Sequence, residues 1–211
     1  MKTSFYQSLF VGLCLLFTVS AKASLNGDYT HLDPDHIVPK KLLAEALDYY
    51  DHNLNKINNQ RIMGIIDFKQ HNSKKRFYII DMESGRVETY LAAHGKNSDP
   101  KHTGYATKFS NTPDSLMTSL GFYMTAETYT GKNGYSLRLD GLSTTNSNAR
   151  DRAIVIHGAD YVTPGTLIGR SSGCPAVEQR YHADLIDRLK GGALLYAGLG
   201  LFKRQKISKK A

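Results

Sequence analysis

Two patterns of apolar residues divide this chain into a helical start and a β-rich body. Behind Pro39, apolar side chains recur at offsets of 0, 4, 7 and 11, the spacing of one helix face: Leu43, Leu47, Tyr50 and Leu54. Proline is favoured in the first turn of a helix. The pattern predicts an amphipathic helix that opens at Pro39 and packs its apolar stripe against a sheet.

From residue 61 onward, short apolar runs alternate with polar turns, which is typical of β-strands. The first three runs predict a meander, and the next two predict a hairpin that turns near residues 130–134. A continuous apolar run predicts a buried strand, and a last strand closes the series. The predicted strands are 63–68, 76–82, 87–93, 120–124, 135–139, 153–156 and 193–199.

A second amphipathic helix is predicted over residues 180–190, and Gly191-Gly192 ends it, since glycine commonly follows a helix C-terminus. The positions expected to face inward are Ala183, Leu185, Ile186 and Leu189. The polar segments between strands predict loops, of which 96–115 is long enough to border a cleft. The predicted fold is mainly β, a β-rich α+β domain.

The two ends of the chain differ from this body in composition. Lys2, an apolar run at 9–19 and the small-x-small tripeptide Ala21-Lys22-Ala23 predict a secretory signal peptide. The run is too short to span a bilayer comfortably, and an uncleaved anchor is the alternative. The predicted divisions are a signal peptide at 1–23, a flexible lead-in at 24–34, one folded domain at 35–200 and a basic tail at 201–211. We expect an exported protein of the periplasm or cell envelope.

The net charge of the chain limits the classes of partner that we expect it to bind. The formal net charge is +8, and the predicted signal contributes only Lys2 and Lys22 to that excess. A basic exported protein suits a polyanion such as a cell wall or a membrane surface. We expect the tail at 201–211 to contact such a surface, with a merely solvated tail as the alternative. Export removes nucleic acid as a normal partner.

Cys174 is the candidate nucleophile. With Cys14 inside the predicted signal, Cys174 is the one cysteine expected in the mature protein. A lone thiol in an oxidising compartment has no disulfide partner and needs another reason to be there. Its polar, turn-forming setting favours a nucleophile over a small buried hydrophobe, which is the alternative. A base or a local positive field would lower the pKa of the thiol and make it a thiolate.

His157 is the candidate base. It follows the predicted strand 153–156, and sixteen residues separate it from Cys174. This order suits a histidine at a strand end and a cysteine on the loop that folds back beside it, while a buried core histidine is the alternative. Gly173 permits a tight turn, so the amides of Gly173 and Cys174 are expected to point at a developing oxyanion.

Six short motifs lie between residues 93 and 176: AHGKNS, FSN, SLG, GYSLRL, RAIVIHGA and GRSSGCPA at 93–98, 109–111, 119–121, 134–139, 152–159 and 169–176. With these motifs, the chain over about 35–199 resembles the YkuD-type L,D-transpeptidases, and more specifically the branch called the murein L,D-transpeptidase catalytic domain. Ser172 stands where most of the superfamily has histidine, and Pro175-Ala176 where a hydrophobic residue and Arg or Asn are usual. The resemblance implies a YkuD-like β-sandwich or barrel with a few peripheral helices.

The resemblance also implies a reaction. Cys174 would attack the amide before the terminal D-alanine of a peptidoglycan stem tetrapeptide, and His157, oriented by a backbone carbonyl near Gly158, would take the thiol proton. Acyl transfer to an amine gives a cross-link, whereas transfer to water makes the protein an L,D-carboxypeptidase. Neither a metal nor a cofactor is expected.

Several neighbours of the motif are candidates for binding the substrate. Arg170 is suited to a carboxylate because guanidinium binds it bidentately, with a plain surface arginine as the alternative. The other candidates are Ser171, Ser172, Tyr161 and His94, and for His94 a structural role is also open.

Two other classes of function stay open. A cysteine peptidase or sortase-like transpeptidase is disfavoured, because papain-like enzymes place the cysteine before the histidine and sortases place it much further beyond. A non-catalytic wall-binding protein of the same fold would have a thiol of ordinary reactivity. In that case Cys174→Ala would leave its phenotype intact.

Overall fold

The computed structural model describes residues 25–199. The predictions for the signal peptide, for Cys14 and for the basic tail lie outside this range. In chain order the elements are α1 (Lys40–His52), a 3-10 turn (Leu54–Lys56), β1 (Ile62–Asp67), β2 (Phe77–Asp81), β3 (Val87–Tyr90), a 3-10 turn (Lys96–Ser98), β4 (Gly121–Gly131), β5 (Gly134–Gly141), β6 (Val155–Ala159), β7 (Ala176–Glu178), α2 (His182–Leu189) and β8 (Leu194–Gly198). Across this range neither helix is long and apolar enough to cross a membrane.

All eight strands belong to one sheet, which confirms the predicted β-rich fold class. Their order is β3-β2-β1-β8-β4-β5-β6-β7. The meander of β1, β2 and β3 and the hairpin of β4 and β5 are antiparallel, as predicted. β8 pairs in parallel with β1 and antiparallel with β4, so the last strand joins the meander to the hairpin.

Burial on both faces explains the continuous apolar runs of the central strands. Alternate residues of a strand point to opposite faces. In β1, Ile62 and Ile66 pack in the core beneath α2, whereas Met63 and Ile65 pack in the core beneath α1. With one helix on each face, both sets of side chains are removed from water.

The stripe of α1 is displaced from the predicted one. Leu42, Ala46 and Tyr50 are buried along one face, together with Leu47. Leu43 is only partly buried, and residue 54 lies in the following 3-10 turn. Leu43 and Leu54 pack against the same core as partly buried side chains, so the predicted packing is confirmed. The most buried line of the helix runs through Leu42 and Ala46, which the prediction did not name.

The start of the described chain is attached to α1. The Asp51 carboxylate accepts hydrogen bonds from the backbone amides of Asn26 and Gly27, at 2.7 and 3.0 Å, and from the Tyr29 hydroxyl at 2.9 Å. Burial of a carboxylate is tolerated when donors surround it in this way. These contacts hold the described part of the predicted lead-in against the domain.

The second helix is confirmed, with one correction to its inward face. Leu185, Ile186 and Leu189 are buried, but Ala183 is exposed. Ala183 lies in the first turn, on the side of the helix that faces away from the buried leucines. The two glycines behind the helix both have positive φ, which a glycine adopts without strain, and the chain then enters β8.

The two edges of the sheet meet at a seam that holds the cysteine loop. The segment after β3 runs beside the segment that leads into β7. The Ala93 amide donates to the Ala176 carbonyl at 2.8 Å, the Ser171 amide to the His94 carbonyl at 2.9 Å, and the Lys96 amide to the Ser171 carbonyl at 2.8 Å. The sheet is thereby nearly closed into a barrel, and residues 171–175 lie at its seam.

Candidate active site

His157 lies within β6, whereas the prediction placed it at the strand end. The strand continues through Gly158 to Ala159 because β7, a three-residue strand that was not predicted, pairs with it in parallel. The side chain is almost fully buried, and Nδ1 lies 2.9 Å from the Gly158 carbonyl. Since only a protonated Nδ1 can donate to a carbonyl, a neutral ring leaves Nε2 as an acceptor.

The electrostatic setting of His157 keeps it neutral. Burial lowers its pKa below the ordinary value, the bond to the Gly158 carbonyl opposes this, and the nearby His182 lowers it further. His182 lies at the start of α2, which packs on this face of the sheet. A Cβ on Gly158 would lie only 2.7 Å from His182 Cγ, so the two histidines flank this glycine.

Cys174 is positioned by the pairing of β6 with β7. Ala176 is the register partner of His157, and Cys174 precedes Ala176 by two residues. The thiol donates to the Ala153 carbonyl at 3.6 Å rather than to the imidazole. Strand pairing therefore brings the predicted nucleophile and base onto adjacent segments without joining them by a hydrogen bond.

The resting state of Cys174 differs from the expected thiolate. The residue is partly exposed, but burial of the thiol raises its pKa above the ordinary value. A hydrogen bond from the Val155 amide and the charges of Arg152 and Lys132 act in the opposite direction without reversing it. Both groups therefore rest uncharged, Cys174 as a thiol on the loop and His157 as a neutral imidazole on β6.

Gly173 and Ser171 shape the cysteine loop. Gly173 has a φ of 128°, and a Cβ there would lie 2.9 Å from the Met117 carbonyl oxygen, so only glycine fits without displacement. The Ser171 hydroxyl donates to the Cys174 carbonyl at 2.7 Å and accepts the Gly173 amide at 3.0 Å. Its proton is therefore used within the loop rather than offered to a substrate, which corrects the expected role of Ser171.

The expected oxyanion donors are not equivalent. The Gly173 amide is directed to the Ser171 hydroxyl, as just described. The Cys174 amide has no hydrogen-bond acceptor among residues 25–199. The geometry thus corrects the expected pair of donors to one available amide, that of Cys174 itself.

Three predicted substrate contacts border the loop. Ser172 is exposed at its tip. Tyr161 is 40% exposed, and its ring packs where a Cβ on Gly169 would lie. Burial is the main cause that raises the pKa of Tyr161 to about 12, and a thiolate at Cys174 would act in the same direction. Arg170 donates through Nη1 to the carbonyls of Lys96 and Asp99, so part of its guanidinium is already committed to the backbone.

His94 is fully buried and cannot contact a substrate, so the structural alternative fits it instead. Arg76, itself fully buried, donates to its Nδ1 at 2.8 Å, and Asp99 Oδ2 lies 3.5 Å from Nε2. Burial and the charge of Arg76 lower the pKa of His94 to about 4. Through its backbone carbonyl, His94 holds Ser171 at the seam.

The sequence did not single out the cations near the thiol. Arg152 belongs to the quoted RAIVIHGA segment, yet it was not assigned a role. Lys132 lies in the two-residue turn between β4 and β5, which the register of Gly131 with Gly134 defines. Both approach Cys174 only through pairings between strands that are distant in sequence, so no local pattern indicates them.

Comparisons with known proteins agree with this architecture. A family model described as the L,D-transpeptidase catalytic domain matches residues 35–197, a range that includes both His157 and Cys174. No curated protein gives a significant match.

Several solved structures resemble the chain at low sequence identity. An L,D-transpeptidase from Mycobacterium smegmatis is 13% identical with a TM-score of 0.42, and the match covers 65% of this chain and 58% of that one. Bd1075 of Bdellovibrio bacteriovorus is 15% identical with a TM-score of 0.42, and the match covers 66% of this chain and 48% of that one. The helical cell shape determining protein Pgp2 of Campylobacter jejuni is 12% identical with a TM-score of 0.40, and the match covers 75% of this chain and 57% of that one. The chain thus spans about half to three fifths of each of these structures.

Proposed function

The chain belongs to the L,D-transpeptidase catalytic domain family, and from this premise we propose that it is a peptidoglycan L,D-transpeptidase with Cys174 as nucleophile and His157 as general base. The donor substrate is a stem tetrapeptide, cleaved before its terminal D-alanine. The acyl group passes to an amine of a second stem peptide.

One observation carries the assignment of the two residues. The β6–β7 register sets Cys174 beside the strand of His157, and the bond from His157 Nδ1 to the Gly158 carbonyl leaves Nε2 available as a base. A fixed tautomer with an open acceptor is what proton abstraction from a thiol requires.

The reaction starts from an uncharged pair. The thiol turns away from the Ala153 carbonyl, its proton passes to His157 Nε2, and sulfur bonds to the carbonyl carbon of the donor. The Cys174 amide stabilises the oxyanion, for which one such donor contributes roughly 3 kcal/mol. The carbon–nitrogen bond then breaks, the imidazolium returns the proton to the leaving D-alanine amine, and a thioester remains on Cys174.

Two acceptors compete for this thioester. An amine gives a cross-link, and water gives L,D-carboxypeptidase activity, which is the second candidate. The partial exposure of Cys174 supports this second candidate, because water can reach the thioester when no acceptor covers it.

The proposed substrate also fits the expected location. A signal peptide at 1–23 would export the protein to the periplasm or cell envelope, where peptidoglycan is the accessible polymer. The basic tail at 201–211 would add contact with an anionic wall or membrane surface. Neither proposal affects the chemistry assigned to Cys174.

Intact-mass spectrometry of the protein incubated with a purified disaccharide-tetrapeptide tests the proposal. We expect an adduct on Cys174 and release of D-alanine, both lost in Cys174→Ala. Cross-linked dimer among the products identifies a transpeptidase, and tripeptide identifies a carboxypeptidase. Folded, reduced protein that gives neither adduct nor D-alanine would instead indicate a non-catalytic wall-binding protein.

A further inference from the structure

Arg152 fastens the long loop after β3 to the turn that precedes β6. Its half-buried guanidinium donates to the Ser110 carbonyl at 2.8 Å, to the Met117 carbonyl at 2.6 Å and to the Ser115 hydroxyl at 3.2 Å. Three acceptors from one segment match the planar fork of arginine, which lysine cannot reproduce. Residues 110–117 are thereby held against the β6 side of the site.

The segment fastened in this way is the surface on which the cysteine loop rests. The Met117 carbonyl that accepts from Arg152 is also the atom closest to a Cβ at Gly173, 2.9 Å away. One residue further on, the Thr118 hydroxyl donates to the Gly173 carbonyl at 3.4 Å. Moving Met117 would therefore change the backbone immediately before Cys174.

The same turn also receives the thiol. Ala153 has a φ of 52°, an uncommon conformation for a residue other than glycine, and its carbonyl accepts the Cys174 thiol. The Arg152 amide donates to the Asn148 carbonyl at 2.9 Å, which holds this turn in place. Backbone in such a region persists only where its surroundings fix it.

The groups that face the thiol have different charges. Arg152 Nη2 lies 3.4 Å from the position of a Cβ on Gly173, the residue before Cys174. Arg152 and Lys132 are the cations whose charges act on the thiol. Tyr161 and Tyr123 stay uncharged at neutral pH, because burial is the main cause that raises the pKa of each to about 12. His157, from the adjacent strand, is neutral as described above. Arg152 is the member of this group that also contacts the support of the loop.

We propose that Arg152 is a positioning residue for Cys174, which holds residues 110–117 beneath Gly173 and supplies a fixed positive charge that favours the thiolate. The inference rests on the proposed role of Cys174 as nucleophile. Its two parts are separable, because lysine keeps the charge and loses the fork, whereas glutamine and methionine lose the charge.

Alkylation of Cys174 tests the charge without any peptidoglycan substrate. The full chain is treated with iodoacetamide between pH 5 and 10, and modification is followed on the tryptic peptide 171–180, which separates Cys174 from Cys14. The alkylation midpoint is the pH at which the alkylation rate reaches half its maximum. We expect Arg152→Met to move this midpoint to higher pH and to slow alkylation at pH 7 by about three- to tenfold, since a nearby opposite charge lowers a thiol pKa. Arg152→Lys should keep the wild-type midpoint.

Arg86→Met is the matched control, because Arg86 is largely exposed and, among residues 25–199, its ion-pair partner is Glu88. It should leave the midpoint unchanged. Circular dichroism confirms folding of each variant, and Arg152→Gln replaces Arg152→Met if the latter does not fold. A wild-type midpoint in a folded, uncharged variant would overturn the proposal, as would an equal shift in Arg152→Lys.

The second part is tested by acyl-adduct formation from the disaccharide-tetrapeptide. We expect Arg152→Lys to form the adduct more slowly than wild type despite its normal alkylation midpoint. Lysine cannot make the three guanidinium hydrogen bonds that hold residues 110–117. Equal rates would overturn the positioning role. If wild-type protein forms no adduct but the alkylation midpoint still depends on Arg152, the proposed function fails and the charge inference stands.

Discussion

At the scale of single residues, Gly173 determines the backbone that presents Cys174. Its positive φ and its contact with the Met117 carbonyl both oppose a side chain. We expect Gly173→Ala to lower the free energy of unfolding by about 1–3 kcal/mol, as measured by urea denaturation. Gly191→Ala is the control, since Gly191 has a φ of 83° with open space around it. Equal losses in the two variants would show that the Met117 contact is unimportant.

Protonation of His157 is expected to determine how the rate of adduct formation falls at acid pH. Because burial lowers its pKa, the folded imidazole stays neutral to a lower pH than free histidine, whose pKa is about 6.5. Below that value the unfolded chain binds the additional proton, so stability also falls with falling pH. We expect the rate of adduct formation to decline with a midpoint below 6.5. A midpoint at or above 6.5 would mean that the charged form is favoured in the folded protein.

Ser172 and His157 are expected to differ in importance. Ser172 is exposed at the tip of the loop, whereas His157 is the only base assigned to the thiol. His157→Ala should slow adduct formation by about 100-fold or more, the usual range for loss of a general base. Ser172→Ala should have a milder effect in the same mass-spectrometric assay. An equal loss would contradict this ranking. It would mean that Ser172 takes over part of the role of the histidine that most of the superfamily has at this position.

At the scale of elements, α1 offers a comparison of adjacent leucines. Leu42 is fully buried and lies against Gly198 of β8, whereas Leu43 is only partly buried. Leu42→Ala should reduce the free energy of unfolding by about 2–5 kcal/mol, the range for a buried leucine. Leu43→Ala should cost clearly less, measured by the same denaturant titration with unchanged slopes. A larger loss in Leu43→Ala than in Leu42→Ala would mean that the predicted stripe, which includes Leu43, provides most of the packing of α1.

The sequence predicted elements whose signal is local and missed those defined by distant pairing. The hairpin of β4 and β5 has alternation on both sides of its turn, so it was found. β7 has only three residues, too few for a period to show, and it exists because β6 lies beside it. The same pairing carries His157 into the strand interior, two residues before the strand ends.

At the scale of the whole molecule, the arrangement of the candidate site depends on contacts between distant segments. His157 bonds to the Gly158 carbonyl, and the β6–β7 pairing places Cys174 on the adjacent segment, while their catalytic roles remain predictions. The position of β8 inside the sheet and the seam between β3 and β7 could not be read, because each joins segments far apart in the chain. The contacts of Ser171 and Arg152 follow from that seam and from the loop at 110–117.

The seam itself makes a final prediction, for hydrogen exchange. The amides of Ala93 and Ser171 lie outside all eight strands, yet they donate across the seam to Ala176 and His94. If the sheet edges stay joined in solution, both amides should exchange about 100-fold or more slowly than the amide of exposed Ser172, because exchange then requires the seam to open. Similar rates for the three amides, resolved by NMR, would mean that the barrel opens there. In that case the Ser171 backbone would lose its partner at the seam, and the contacts of Gly173 with Met117 and Thr118 would remain to hold the cysteine loop.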